Sequence, residues 1–176
     1  MAADPVGFKP LDRSDCRRRM GLPSNGQFVG YCGSLHKTRG VETLFEAMDI
    51  LKETHPDVEL LLSGRKWKNV PAPASARVLG YIDDEKMPLL LNCMDTLGVT
   101  NRLSSFGRFS HPVKLYEAMN CQIPVVATQT PATRWILREH PEFLVPPADP
   151  QALSRKIGMC LKLGRVSYAH VPTWES

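Results

Sequence analysis

The run Val58-Glu59-Leu60-Leu61-Leu62-Ser63, closed by Gly64, constrains the fold more than any other stretch of the chain. Three consecutive leucines leave no polar face, so a strand built from them must be covered on both sides. Doubly covered strands belong to parallel sheets, whose crossovers lay helices over the two faces. The preceding sequence meets that demand. Gln27 to Gly33 reads as a strand that stops at a glycine. Val41, Leu44, Phe45, Met48 and Leu51 then recur at the spacing of one helical face, and His55-Pro56 closes the helix.

The same alternation continues. Arg77 to Gly80, Thr96 to Thr100, Pro124 to Thr128 and Phe143 to Val145 read as strands. Helices are expected over Asp83 to Asn92, Pro112 to Cys121 and Pro131 to Leu137, and over a last segment from Pro150, capped by Asp149. Right-handed crossovers then require an α/β fold, a Rossmann-like open parallel sheet of about six strands with helices on both faces. Ligands of such sheets sit beyond the carboxyl ends of the strands, in the loops after Gly33, Gly64, Gly80, Thr100 and Thr128. Residues 1–26 read as a lead-in or linker with a short helix near Ser14 to Met20, residues 27–163 as the domain, and 164–176 as a tail.

Composition narrows the class. At 176 residues with 43% hydrophobic and 23% charged residues, the chain is sized and built for one globular domain. No uncharged apolar run approaches the ~18 residues of a membrane helix, and no signal-peptide pattern opens the chain. Five scattered cysteines in no ligand spacing argue against structural zinc and disulfides, so free thiols in a reducing cytoplasm are expected. The net charge of +4 suits an anionic small molecule as well as nucleic acid. Neither G-x-G-x-x-G nor a Walker A sequence occurs, which disfavours dinucleotide oxidoreductases and P-loop NTPases.

Ser110-His111-Pro112-Val113-Lys114-Leu115-Tyr116-Glu117 carries the clearest chemistry. A helix N-terminus concentrates about half a positive charge in unpaired N–H groups, and Lys114 adds a full charge in the first turn. Glu117 follows three residues on, so a phosphate at Lys114 and a vicinal diol at Glu117 would fit one ligand. An ordinary i,i+3 surface pair fits the same spacing. The loop Ser34-Leu35-His36-Lys37-Thr38-Arg39-Gly40 brings Lys37 and Arg39 to the same sheet edge. Arg65-Lys66-Trp67-Lys68 mixes base and aromatic, but a solvated loop explains it better than a nucleic-acid surface, and no nucleic-acid partner is expected.

These residues together resemble the donor-binding, C-terminal half of a GT-B fold glycosyltransferase of the retaining group called family 4 or group 1. Arg39-Gly40-Val41-Glu42-Thr43-Leu44 resembles that family's "KG-x-x-x-L" helix start, and Val78-Leu79-Gly80-Tyr81-Ile82 its base-binding segment. Met94-Asp95-Thr96 resembles its "A-D-V". Lys114 to Met119 followed by Pro124-Val125-Val126-Ala127 resembles "K-L-x-E-x-M…G-x-P-V-V-A". The resemblance implies that Glu117 holds a nucleotide ribose and Arg39 and Lys114 a diphosphate, with Gly80, Tyr81 and Ile82 reading the base. It further assigns Ser34, Lys37, Ser110, His111 and Val113 to the nucleotide-sugar site, with no cofactor and no metal.

Three positions depart from the family pattern: Phe109 replaces the first glutamate of E-x7-E, Ser34 a common arginine, and Gln122 the usual glycine before the Pro-Val-Val strand. The resemblance covers only the donor half. It therefore implies a missing N-terminal acceptor-binding domain, a missing returning C-terminal helix, and a fragment that binds nucleotide-diphosphate sugar without turning it over. The full-length protein would be a hexosyltransferase-type enzyme in the cytoplasm, with peripheral contact to the inner face of the membrane through the missing half. The alternatives are a non-catalytic nucleotide-binding or scaffold domain of the same fold, and another GT-B enzyme such as a nucleotide-sugar epimerase.

Overall fold

A computed structural model describes residues 4–65, 70–104, 110–169 and 171. Its six strands are β1 (Gln27–Cys32), β2 (Val58–Ser63), β3 (Ala76–Gly80), β4 (Thr96–Val99), β5 (Val125–Thr128) and β6 (Leu144–Val145). They form one sheet in the order β3-β2-β1-β4-β5-β6, and every neighbouring pair is parallel. Leu60, Leu61 and Leu62 are all buried, as a strand covered on both faces requires.

The helices are α1 (Arg13–Arg19), α2 (Val41–Lys52), α3 (Met87–Cys93), α4 (Val113–Asn120), α5 (Pro131–Ile136) and α6 (Pro150–Cys160). Helices α2 and α6 pack on each other, while α1 packs on α3 and α3 touches α4. This pairing separates the helices into two layers with the sheet between them. The helix expected from Asp83 begins instead as a 3-10 turn over Asp84–Lys86, and the α-helix starts at Met87. Pro88 explains the break, because deeper inside an α-helix its ring would clash with the carbonyl four residues earlier. Asp149 caps α6 as expected, its carboxylate accepting from the Ala152 amide at 2.8 Å.

The segment before β1 packs onto the domain. Arg17 is buried, stacks over the Phe28 ring at 4.9 Å, and donates to the Cys93 carbonyl at 2.9 Å. Asp95, just ahead of β4, accepts from Arg17 and Arg13 at 2.8 Å each and from the Phe28 amide at 2.7 Å. No described helix is long and apolar enough to cross a membrane.

The sheet order fixes where a ligand can enter. From β1 the chain builds outward to β2 and β3, then returns to place β4 on the other side of β1. The loops after β1 and β4 therefore diverge, and a crevice opens between them at the carboxyl end of the sheet.

Candidate functional site

Two cavities of about 270 Å³ and 250 Å³ occupy that crevice and share Cys32, Gly33 and Lys114. The larger lies over the ends of β1 and β4, and the smaller reaches toward the ends of β2 and β3. Their shared wall depends on a close approach of two loops. A Cβ on Gly64 would sit 2.0 Å from the Gly33 carbonyl oxygen, and its φ of +137° is one that side chains rarely adopt. Only glycine can close β2 against β1 here.

The loop after β1 is built to aim Arg39. The Tyr31 hydroxyl donates to the Ser34 carbonyl at 3.0 Å, and the next residue, Leu35, is buried. His36 caps a 3-10 turn over Lys37–Arg39, its Nδ1 accepting from the Thr38 amide at 3.3 Å. Gly40, at φ +62°, turns the chain into α2, and a Cβ there would press on Asn101 and Arg102 at 3.3 Å. The Arg102 amide in turn donates to the Thr38 carbonyl at 3.4 Å. With the two loops locked together, Arg39 Nη1 donates to Ser110 Oγ at 2.9 Å, across 71 residues of sequence.

Helix α4 supplies the other wall. Its N-cap is Pro112, which makes no side-chain cap bond, so among the described residues the first-turn N–H groups at the positive end of the helix receive no N-cap side chain. Lys114 Nζ donates to Glu117 Oε2 at 2.7 Å. The Lys114 side chain is 29% exposed and that of Glu117 only 9%, so the carboxylate is the buried member of the pair. Burial raises the Glu117 pKa above its ordinary 4.5, with the bond and charge of Lys114 pulling the other way.

His111, Tyr116 and Cys32 add little charge near pH 7. His111 Nε2 and Tyr116 Oη lie 2.6 Å apart, with the rings stacked at 5.5 Å. Burial lowers the imidazole pKa and raises that of the phenol, so both are neutral near pH 7 and one donates to the other. Burial pushes the Cys32 thiol up to about 12 despite nearby Lys114, which makes it a poor nucleophile. Among the described residues no three His, Cys, Asp or Glu side chains gather as a metal site.

Most residues singled out in the sequence converge here. Arg39, His111, Val113 and Lys114 line the larger cavity, and Ser34, Tyr81, Ile82 and Lys114 line the smaller. Ser110 and Glu117 join through their bonds to Arg39 and Lys114. The Gly80 carbonyl accepts from the Gly64 amide at 2.8 Å, which ties the base-side segment to the β2 loop. Lys37 is exposed and lines neither cavity. Phe109, Lys66, Trp67 and Lys68 lie outside the described residues, while Arg65 lines the smaller cavity. Sequence reasoning missed Asp84 and Met87 in the smaller cavity, and Thr100 and Asn101 in the larger. The pair Thr100-Asn101, polar residues ending an apolar strand at the turning point of the sheet, was the available signal.

A crevice of this kind at the turning point of a parallel sheet defines a Rossmann-like domain, the half-unit of GT-B folds. The chain belongs to the family described as Glycosyl transferases group 1, which matches residues 26–162. A phosphatidyl-myo-inositol mannosyltransferase of Mycobacterium leprae is 30% identical over 158 residues, covering 85% of this chain and 41% of that protein. This chain thus spans about two fifths of that relative's length. The C-terminal domain of a group 1 glycosyl transferase from Francisella tularensis matches with a TM-score of 0.72 at 22% identity, covering 90% of this chain and 87% of that one. Anabaena HepE, solved with UDP-glucose, matches with a TM-score of 0.73 at 23% identity, covering 92% of this chain and 46% of that one. At these identities the two structures support the shared fold.

Proposed function

We propose that this chain is the donor-binding half of a retaining glycosyltransferase and holds a nucleoside-diphosphate sugar. One observation carries the reading: Arg39, on the loop after β1, and Lys114, in the first turn of α4, line one cavity at the start of that helix, with the buried Glu117 one turn deeper. In this arrangement the diphosphate lies between Arg39 and the α4 N-terminus. The ribose hydroxyls bond to Glu117, and the base enters the smaller cavity beside Tyr81 and Ile82. The UDP-glucose bound to Anabaena HepE, a protein of the same fold, supports this ligand class.

The chemistry follows from charge. Breaking the sugar–phosphate bond leaves negative charge on the departing diphosphate, and donors already fixed around it stabilise that charge without reorganising. Arg39, Lys114 and the helix N–H groups fill this role in a complete enzyme that transfers a hexosyl group. An acceptor-binding half would complete the active site, so binding rather than turnover is the activity expected of this chain alone.

Calorimetry with UDP, GDP and ADP tests the reading. Arg39→Ala and Lys114→Ala should each weaken the preferred diphosphate by about 1.5–3 kcal/mol, the usual worth of a charge-assisted contact. Wild-type affinity in both variants would place the diphosphate elsewhere.

A further inference from the structure

The larger cavity holds two buried side-chain oxygens, a hydroxyl and an amide oxygen, and the amide oxygen is one that a diphosphate cannot serve. Thr100 and Asn101 are each only 3% exposed, and both line it. Among the described residues, Thr100 Oγ1 and Asn101 Oδ1 are buried without a hydrogen-bond partner. The Asn101 backbone is satisfied. The Thr128 hydroxyl accepts from the Asn101 amide at 2.8 Å and donates to its carbonyl at 3.2 Å, which fixes the backbone and leaves only the side chain open. A buried oxygen left unpaired weakens the fold, so such a pair implies that something else supplies the bonds.

Chemistry narrows what that is. An amide oxygen only accepts hydrogen bonds, and a hydroxyl both donates and accepts. An ionised diphosphate has no donor to offer Asn101 Oδ1, whereas a sugar hydroxyl can donate to it and exchange bonds with Thr100. Among the described residues no carboxylate lines the larger cavity, so none there favours a cationic sugar. Leu97, Gly98 and Val99 give it an apolar side against which the C–H face of a ring can rest.

We infer that Thr100 and Asn101 hold the hydroxyls of a neutral hexosyl group on the donor and set which sugar the site accepts. This rests on the donor-binding reading above and adds the residues that distinguish nucleotide sugar from nucleotide. A site built around hydroxyl bonds discriminates strongly, because a sugar lacking the hydroxyl leaves the buried oxygens unpaired.

The test is the ratio of dissociation constants for a diphosphate and its sugar, measured by calorimetry for UDP and UDP-glucose, GDP and GDP-mannose, and ADP and ADP-glucose. In the preferred pair Thr100→Val, which keeps the shape and removes the hydroxyl, should lower the wild-type preference for the sugar by about tenfold, the cost of one lost hydrogen bond of ordinary strength. Affinity for the bare diphosphate should not change. Thr100→Ser, which restores the hydroxyl, should recover the preference, and Asn101→Ala should reduce it as Thr100→Val does. Thermal unfolding of Thr100→Val should occur at or above the wild-type temperature, since an unpaired buried hydroxyl is gone. An unchanged ratio in Thr100→Val overturns the inference, as does an equal loss for both ligands. If the wild type binds diphosphates but gains nothing from any of the three sugars, the inference fails and the donor-site reading survives. If it binds no diphosphate, both fail.

Discussion

Glu117 is an acid held in a place that disfavours its charge. Burial raises its pKa and Lys114 offsets only part of the effect, so the folded chain takes up this proton at a higher pH than the unfolded chain. Between those two values the folded state binds more protons, and stability falls as pH rises through the window above 4.5. Glu117→Gln should remove that slope. Urea midpoints of the variant should vary less than wild type between about pH 5 and 7, and should be no lower at neutral pH. Nucleotide affinity should still fall, because an amide carries no charge for the ribose diol. A marked loss of stability at neutral pH would mean that the ion pair outweighs the cost of burial. Gln122 shows a different strain. Its φ is +57°, a left-handed conformation that costs a side-chain-bearing residue about 1–2 kcal/mol. Sequence comparison with the family pattern flagged the missing glycine, and the backbone supplies the reason glycine is favoured there. Gln122→Gly should therefore stabilise the chain by about 1 kcal/mol, read as a rise in the urea midpoint with no change in slope.

At the scale of elements, the readable features were those with a period. The both-face burial of β2, the apolar stripe of α2 and the Asp149 cap of α6 follow from residues within one or two turns of each other. What could not be read was long-range pairing. Asp95 looked like part of a motif ahead of a strand, and its partners Arg13 and Arg17 lie 82 and 78 residues away. That carboxylate joins α1, the end of α3 and the start of β1 in one buried ion pair network. Asp95→Ala leaves a nearly buried guanidinium and the Phe28 amide without their acceptor, and should cost about 3–5 kcal/mol. The pair Arg77 and Glu59 makes the contrast. It has the same 2.8 Å separation, but its side chains are 41% and 35% exposed. Glu59→Ala should cost less than about 1 kcal/mol, because water screens both charges. Similar losses from the two substitutions in urea titrations would show that burial does not separate these bridges.

At the scale of the molecule, the candidate site was legible where charge marks it and illegible where burial does. Arg39, Lys114 and Glu117 stand out as charged residues beside a strand end or helix start. Thr100 and Asn101 do not, because a polar residue ending a buried strand looks the same whether it stops the strand or lines a cavity. The segment after α6 was equally silent, having lost apolar periodicity, yet residues 164–169 tie distant parts together. Arg165 donates to the carbonyls of Leu11 and Cys121 at 2.6 and 2.7 Å. The Val166 amide donates to the Gln122 carbonyl at 3.0 Å. The Tyr168 hydroxyl donates to the Ile123 carbonyl at 3.0 Å and accepts from the Val125 amide at 3.1 Å. These contacts hold the C-terminal end of α4 and the start of β5. The eight residues of α4 span ~12 Å, so the strap acts at the end of the helix away from Lys114. Arg165→Ala should lower global stability by about 2–4 kcal/mol, since it removes two charge-assisted bonds to main-chain carbonyls. The affinity for nucleoside diphosphate should stay at its wild-type value wherever the variant is folded. A loss of affinity matching the loss of stability would show instead that the strap sets the position of the whole helix, with Lys114 at its far end.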